Sequence, residues 1–122
     1  MSPGAAVAAS VLAALAVAAG AFGAHGLAER LGPRDLALWE TGARYLTYAA
    51  LAALAMSLAP GRAGGGGALW VLGGGAWFAA TLFGLALGGP RWLGALTPIG
   101  GVAMILGFLV FAASVWRGAG GG

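Results

Sequence analysis

The sequence predicts an all-α integral membrane protein, a four-helix transmembrane bundle. Three observations carry this. Only 7% of the 122 residues are charged and 61% are hydrophobic, whereas a soluble domain carries about 25% charged residues. Four uncharged runs, Met1–Ala24, Tyr45–Gly61, Ala63–Pro90 and Trp92–Trp116, fill most of the length, and each falls within the roughly 17–25 residues that a spanning helix needs, or close to it. The charge is concentrated: Gly20 to Tyr48 holds the single histidine, all three acidic residues and three of the six arginines. Residues 1–117 are expected to form one domain, with 118–122 a flexible glycine-rich tail.

The first helix is expected over about 5–24. Its stronger hydrophobes, such as Val7, Val11, Leu12 and Leu15, favour insertion by only ~2–3 kcal/mol in all. Ala16, Gly20 and Ala24 recur every fourth residue, a small-residue stripe suited to close contact with another helix, with Gly23 beside it. A secretory signal peptide competes for this run, but the positively charged n-region is missing. An uncleaved helix is the expectation.

A polar connection, His25 to Arg44, follows. Gly32-Pro33 interrupts it, because the residue before proline avoids the helical region. Pro33 suits a first helical turn, and Asp35 suits the positive end of a helix. Leu36, Trp39 and Ala43 share a face. This predicts a short amphipathic segment at the interface over about 34–42, or a polar start to the second helix. Trp39 and Tyr45 suit headgroup depth.

The second helix is expected over about 43–59, stopped by Pro60-Gly61, with GRAGGGG as a flexible turn. The third is expected over about 69–87. Gly84 and Gly88 make a GxxxG pair and Gly73-Gly74-Gly75 a smooth patch. The fourth is expected over about 98–116. Thr97-Pro98 reads either as an N-cap with proline in the first position or as a kink in a longer helix. Gly100 and Gly101 are expected to pack against a neighbour.

Composition excludes much chemistry. The 25 glycines follow no G-X-Y period. Cysteine is absent, which removes disulfides and thiolate metal sites. All six basic residues are arginine, so there is no Schiff-base or Walker-type lysine. The arginines are scattered, with no patch for nucleic acid. No cofactor, metal or catalytic set is expected. Arg30, Arg34, Arg44 and Arg91 fall on one side of a four-span topology, and Arg62 and Arg117 on the other. The positive-inside rule then places the polar connection in the cytoplasm and both termini outside.

The candidate polar cluster is His25, Glu29, Glu40 and Arg44. Glu40 and Arg44 stand i, i+4 with glutamate first, the better order on a helix. The pair is either a salt bridge fixing the depth of the second helix or a small-molecule or ion site at the mouth of the bundle. His25 either caps the first helix by bonding free carbonyls or contacts Glu29 if the helix continues. Ser10, Ser57 and Ser114 lie in apolar runs and none has a G-x-S-x-G context. The tryptophans read as belt or packing residues.

Three motifs, GAFGAHGL from Gly20, WETGARY from Trp39 and RWLGALTPIGG from Arg91, resemble a family of small membrane proteins. It is the domain of unknown function 423 family, the YgdD-type inner-membrane proteins, similar to transmembrane protein 256 of animals. The resemblance covers Gly20 to about Phe111. It implies a four-helix protein of about this length in a bacterial inner membrane, and it brings no biochemical activity. It also implies Gln and His at two positions after the arginine where this chain has Leu46 and Ala49. A polar site built on those two residues is therefore absent or altered here. The leading expectation is a non-enzymatic structural or accessory protein, packing against membrane lipids, a larger complex or further copies of itself. The alternative is a component of a transporter or channel with its polar site near His25, Glu40 and Arg44.

Overall fold

The computed structural model describes residues 2–59 and 63–120. Among them run four α-helices: α1 (Pro3–His25), α2 (Pro33–Ser57), α3 (Ala63–Ala86) and α4 (Leu93–Gly120). A 3-10 turn, Leu27–Glu29, follows α1. Each helix packs on its neighbour in sequence, and α1 touches α3 only lightly. Helices α2 and α3 are therefore inner, while α1 and α4 flank them. Among the described residues three helices are long and apolar enough to cross a membrane: Pro3–Glu29, Gly66–Ala86 and Leu93–Gly118.

The packing follows from spacing. Covered positions recur at alternating steps of four and three. On α1 they are Ala5, Ala9, Leu12, Ala16, Ala19 and Gly23. A repeat of 3.5 residues keeps such a seam on one side of a helix. The four-residue stripe of Ala16, Gly20 and Ala24 drifts off that line, and Ala24 is exposed. Helix α3 has two seams. Ala68, Leu72, Gly75, Ala79 and Ala86 share buried clusters or close contacts with α2. Gly67, Gly74 and Thr81 meet Phe111, Gly100 and Thr97 of α4.

Glycine sets the α3–α4 distance. A methyl group on Gly74 would lie 2.6 Å from the Gly100 carbonyl oxygen, and one on Gly100 2.6 Å from the Gly74 carbonyl oxygen. Seven residues along, a methyl on Gly67 would lie 2.9 Å from the Gly107 carbonyl oxygen. Two backbones thus touch directly, where lipid-like surroundings give no hydrophobic drive for association.

The helix boundaries differ from the expected spans in four places, and in two of them the structure takes the alternative that the sequence left open. The segment at 34–42 and the helix from 43 are one helix, starting at Pro33. Proline at the first position and Asp35 in the first turn start it, and nothing in TGARY breaks it. Helix α3 begins at Ala63, so most of GRAGGGG is helical; Pro60, Gly61 and Arg62, including the expected stop, lie outside the described residues. Helix α4 begins at Leu93, which puts Pro98 inside a longer helix. It continues to Gly120 through the start of the expected tail, and residues 121–122 lie outside the described residues.

The α1–α2 and α3–α4 connections sit at one end. Leu27 after α1, Trp39 early in α2 and Ala86 at the end of α3 share one buried cluster. The other end is closed by the Ser2 backbone N–H, which donates to the Ser57 carbonyl at 2.7 Å.

Candidate functional site

Trp39 positions the charged end of the molecule. It is buried in α2, with its ring 4.2 Å from Phe83 and edge-on to Phe22 at 6.1 Å. Its indole N–H donates to the Ala19 carbonyl of α1 at 2.8 Å. Gly23 leaves the room: a methyl there would lie 2.6 Å from Trp39 Cδ1. Gly42 does the same for Phe83, with 2.9 Å to its Cε1. Trp39 is thus an internal tie between α1, α2 and α3, where the sequence suggested a headgroup anchor. The missed signal was a tryptophan and two motif glycines with no large neighbour to fill their space.

The four residues of the expected polar cluster all lie on the outside. His25 ends α1, and the Gly26 backbone N–H, bonded to the Phe22 carbonyl, closes that helix. His25 makes no side-chain hydrogen bond among those the described residues form. Glu29 lies in the 3-10 turn, so the helix does not continue to bring it one turn above His25. Glu40 and Arg44 share the outward strip of α2, and among the described residues neither takes part in a side-chain hydrogen bond. The four residues therefore form no closed site among the described residues. Leu46 and Ala49, at the positions where the family resemblance implies Gln and His, are buried between helices.

A polar tie that sequence reasoning passed over joins α3 and α4. Thr97 Oγ1 lies 2.8 Å from Thr81 Oγ1 in the buried contact, and 3.0 Å from the Leu93 carbonyl oxygen. Thr81 donates to the Phe78 carbonyl at 2.9 Å. Trp77 donates its indole N–H to the Leu96 carbonyl at 2.8 Å. On α4 these bonds fall in the turn just before Pro98, which has no N–H of its own to give to the helix ladder.

The glycines expected to pack helices divide. Gly100 lies against the backbone of α3, and Gly101 makes ordinary contact with Phe78. A methyl on Gly84 would lie 2.9 Å from Leu93 Cδ1, across the turn. Gly88 has φ +92° and open space around it, so it serves a turn that L side chains disfavour. The Gly84–Gly88 pair is thus a turn, because α3 ends at Ala86 between them. Gly20 faces open space.

Two apolar grooves mark the outer surface. One, of about 360 Å³, runs between Trp70 and Trp77 of α3 and Ile99 of α4, floored by Gly73, Gly74 and Gly100. The other, of about 440 Å³, lies between α2 and α4, lined by Tyr45, Tyr48, Phe78, Met104, Ile105 and Phe108. Tyr45 and Tyr48 meet edge-on at 5.4 Å on its α2 wall. Among the described residues no three His, Cys, Asp or Glu side chains gather as metal ligands.

The sequence is similar to those of proteins named for their place in membranes. A UPF0382 membrane protein of Staphylococcus epidermidis is 40% identical over 109 residues, covering 87% of this chain and 89% of the relative. The UPF0382 membrane protein YwdK of Bacillus subtilis is 35% identical over 106 residues, covering 83% and 86%. The UPF0382 membrane protein C1782.12c of Schizosaccharomyces pombe is 40% identical over 102 residues, covering 77% and 86%. No solved structure matches the chain. Residues 19–101, from the Ala19 carbonyl that Trp39 holds to the glycines facing α3, match the family described as "Protein of unknown function (DUF423)". With three helices able to span a bilayer and these relatives, the chain is a membrane protein and belongs to the DUF423 family.

Proposed function

We propose that the chain is a four-helix transmembrane protein of the bacterial cytoplasmic membrane that has no catalytic role. It acts by packing against lipid or a larger membrane complex, as a structural or accessory component. The observation that carries this is the way interior polarity is used up. Every buried side-chain polar atom among the described residues has a hydrogen-bond partner. Those partners are helix carbonyls or, for Thr81 and Thr97, each other. What remains free lies on the outside, as do large apolar side chains such as Val11, Leu15, Ile105 and Leu109, all more than half exposed.

The fourth span in this reading is α2. Its uncharged part, Tyr45–Ser57, reaches about 20 Å at 1.5 Å per residue, short of the ~30 Å hydrocarbon layer. It crosses only if Glu40 and Arg44 enter that layer with it. Its packing supports this, since buried residues run from Trp39 to Ser57 between two apolar helices.

The test is purification of the tagged chain in mild detergent, with mass spectrometry of what comes with it. Stoichiometric lipid or membrane protein is expected. A lone, lipid-free monomer would sink the proposal. Ion or solute flux in proteoliposomes that vanishes with Arg44→Ala or Glu40→Gln would replace it with a transport role.

A further inference from the structure

Helix α2 packs through two faces, on α1 and on α3. Its outward strip runs through Ala37, Glu40, Arg44, Tyr48, Leu51 and Ala55, all exposed. The depth of this strip follows from register. Gly75, in the middle of α3, lies against Ala49. Arg44 is five residues from Ala49, about 7.5 Å along the helix axis, and Glu40 is about 13.5 Å away. Half the hydrocarbon thickness is about 15 Å. With α2 as a span, on which this inference rests, the backbone of Arg44 lies inside hydrocarbon and that of Glu40 near its edge. Charges at such depth pair with one another or face water. Among the described residues Glu40 and Arg44 take no side-chain hydrogen bond.

We infer that the outward strip of α2 is an interface with a second copy of the chain, about a two-fold axis along the membrane normal. Arg44 of each copy meets Glu40 of the other. The argument is self-complementarity of charge. A two-fold contact sets one patch against itself, and this patch holds one acid and one base a turn apart. Helical side chains lean toward the N-terminus, so the Arg44 guanidinium reaches back to the level of Glu40. Two reciprocal pairs then replace four unpaired charges. Leu51 and Ala55 carry the contact through and past mid-membrane. An anionic lipid headgroup would suit Arg44 but would set its phosphate beside Glu40.

The chain has no cysteine, so a single introduced thiol reports cleanly. Leu51→Cys is expected to give a cross-linked dimer in native membranes under copper-phenanthroline. Val11→Cys, on the outward face of α1, is expected to give none. Two differently tagged copies should co-purify. Glu40→Arg and Arg44→Glu should each lower that recovery at least about tenfold, since like charges facing across an interface cost several kcal/mol. Co-expression of the two single variants should restore pairing, as should both changes in one chain, which also shows that the variants fold. Unchanged recovery with either single variant overturns the inference. So does loss with Arg44→Glu that neither combination rescues, with anionic lipid retained only by the unmodified chain; that outcome assigns the strip to lipid. Recovery of one copy with a different membrane protein overturns the inference but leaves the accessory role standing. A lone monomer removes both.

Discussion

Trp39 and Ala19 are twenty positions apart and joined by one hydrogen bond, from the indole N–H to the backbone carbonyl at 2.8 Å. That carbonyl lies within α1, where the helix ladder already uses it, and a second lone pair serves the indole. The bond fixes α2 on α1 at the level where the polar connection begins. The charged end therefore has a bonded base, although among the described residues its own side chains form no bonded network.

Gly23→Ala is predicted to loosen this end. The added methyl would lie 2.6 Å from Trp39 Cδ1. Phe83 and Phe22 flank the ring, so it has no free direction of retreat. Overpacking of this kind costs about 1–3 kcal/mol. Trp39→Phe keeps an aromatic ring and removes the bond, for about 1 kcal/mol plus the lost volume. Unfolding in detergent micelles by denaturant measures both. A Gly23→Ala protein as stable as the parent would show that the ring is not held where the structure puts it.

The α3–α4 contact makes a sharper prediction, because two neighbouring glycines should behave oppositely. Gly74→Ala sets a methyl 2.6 Å from a backbone oxygen and 2.7 Å from the Met104 nitrogen. Backbone cannot rotate away as a side chain can, so the helices must separate. A loss of about 1–3 kcal/mol is expected, and the same for Gly100→Ala. Gly73→Ala meets open space and should be neutral or stabilising by up to about 1 kcal/mol from helix propensity. Equal effects at Gly73 and Gly74 would contradict the observed register.

These glycines also show how far the sequence could be read. The long apolar runs announced α1, α3 and α4, because length and composition decide whether a helix can span. The family motifs reached Gly23, Trp39, Gly42 and Gly100. Three consecutive glycines at 73–75 looked like one smooth patch, yet they face three ways: Gly73 outward, Gly74 to α4 and Gly75 to α2. That division needs the register of two seams, which the sequence hides because alanine and glycine dominate every face. The glycine run after Arg62 suggests a flexible turn, since glycine has low helix propensity in water. Among apolar neighbours a helix is what satisfies its backbone, and α3 starts at Ala63. Within the expected polar cluster, one alignment is not formed. Spacing aligned His25 with Glu29, but the turn after Gly26 removes that alignment.

The Thr81–Thr97 bond makes the last prediction, and it concerns coupling. Each hydroxyl has one proton. Thr81 gives its own to the Phe78 carbonyl, while Thr97 stands within reach of both Thr81 and the Leu93 carbonyl. Thr81→Val removes the partner across the contact, but Thr97 can still turn to its own helix. Thr97→Val leaves Thr81 on Phe78. Neither single change strands a buried polar group, so each should cost only about 0.6 kcal/mol, with ~1.7 as the ceiling for such bonds between membrane helices. Once either threonine is gone the interhelical bond is gone, so the second change should add almost nothing. A double-mutant cycle read by unfolding in micelles should therefore return a coupling close to the single-variant cost. Strict additivity would mean that the two hydroxyls do not bond to each other, and that Trp77 on the Leu96 carbonyl is the polar link between α3 and α4.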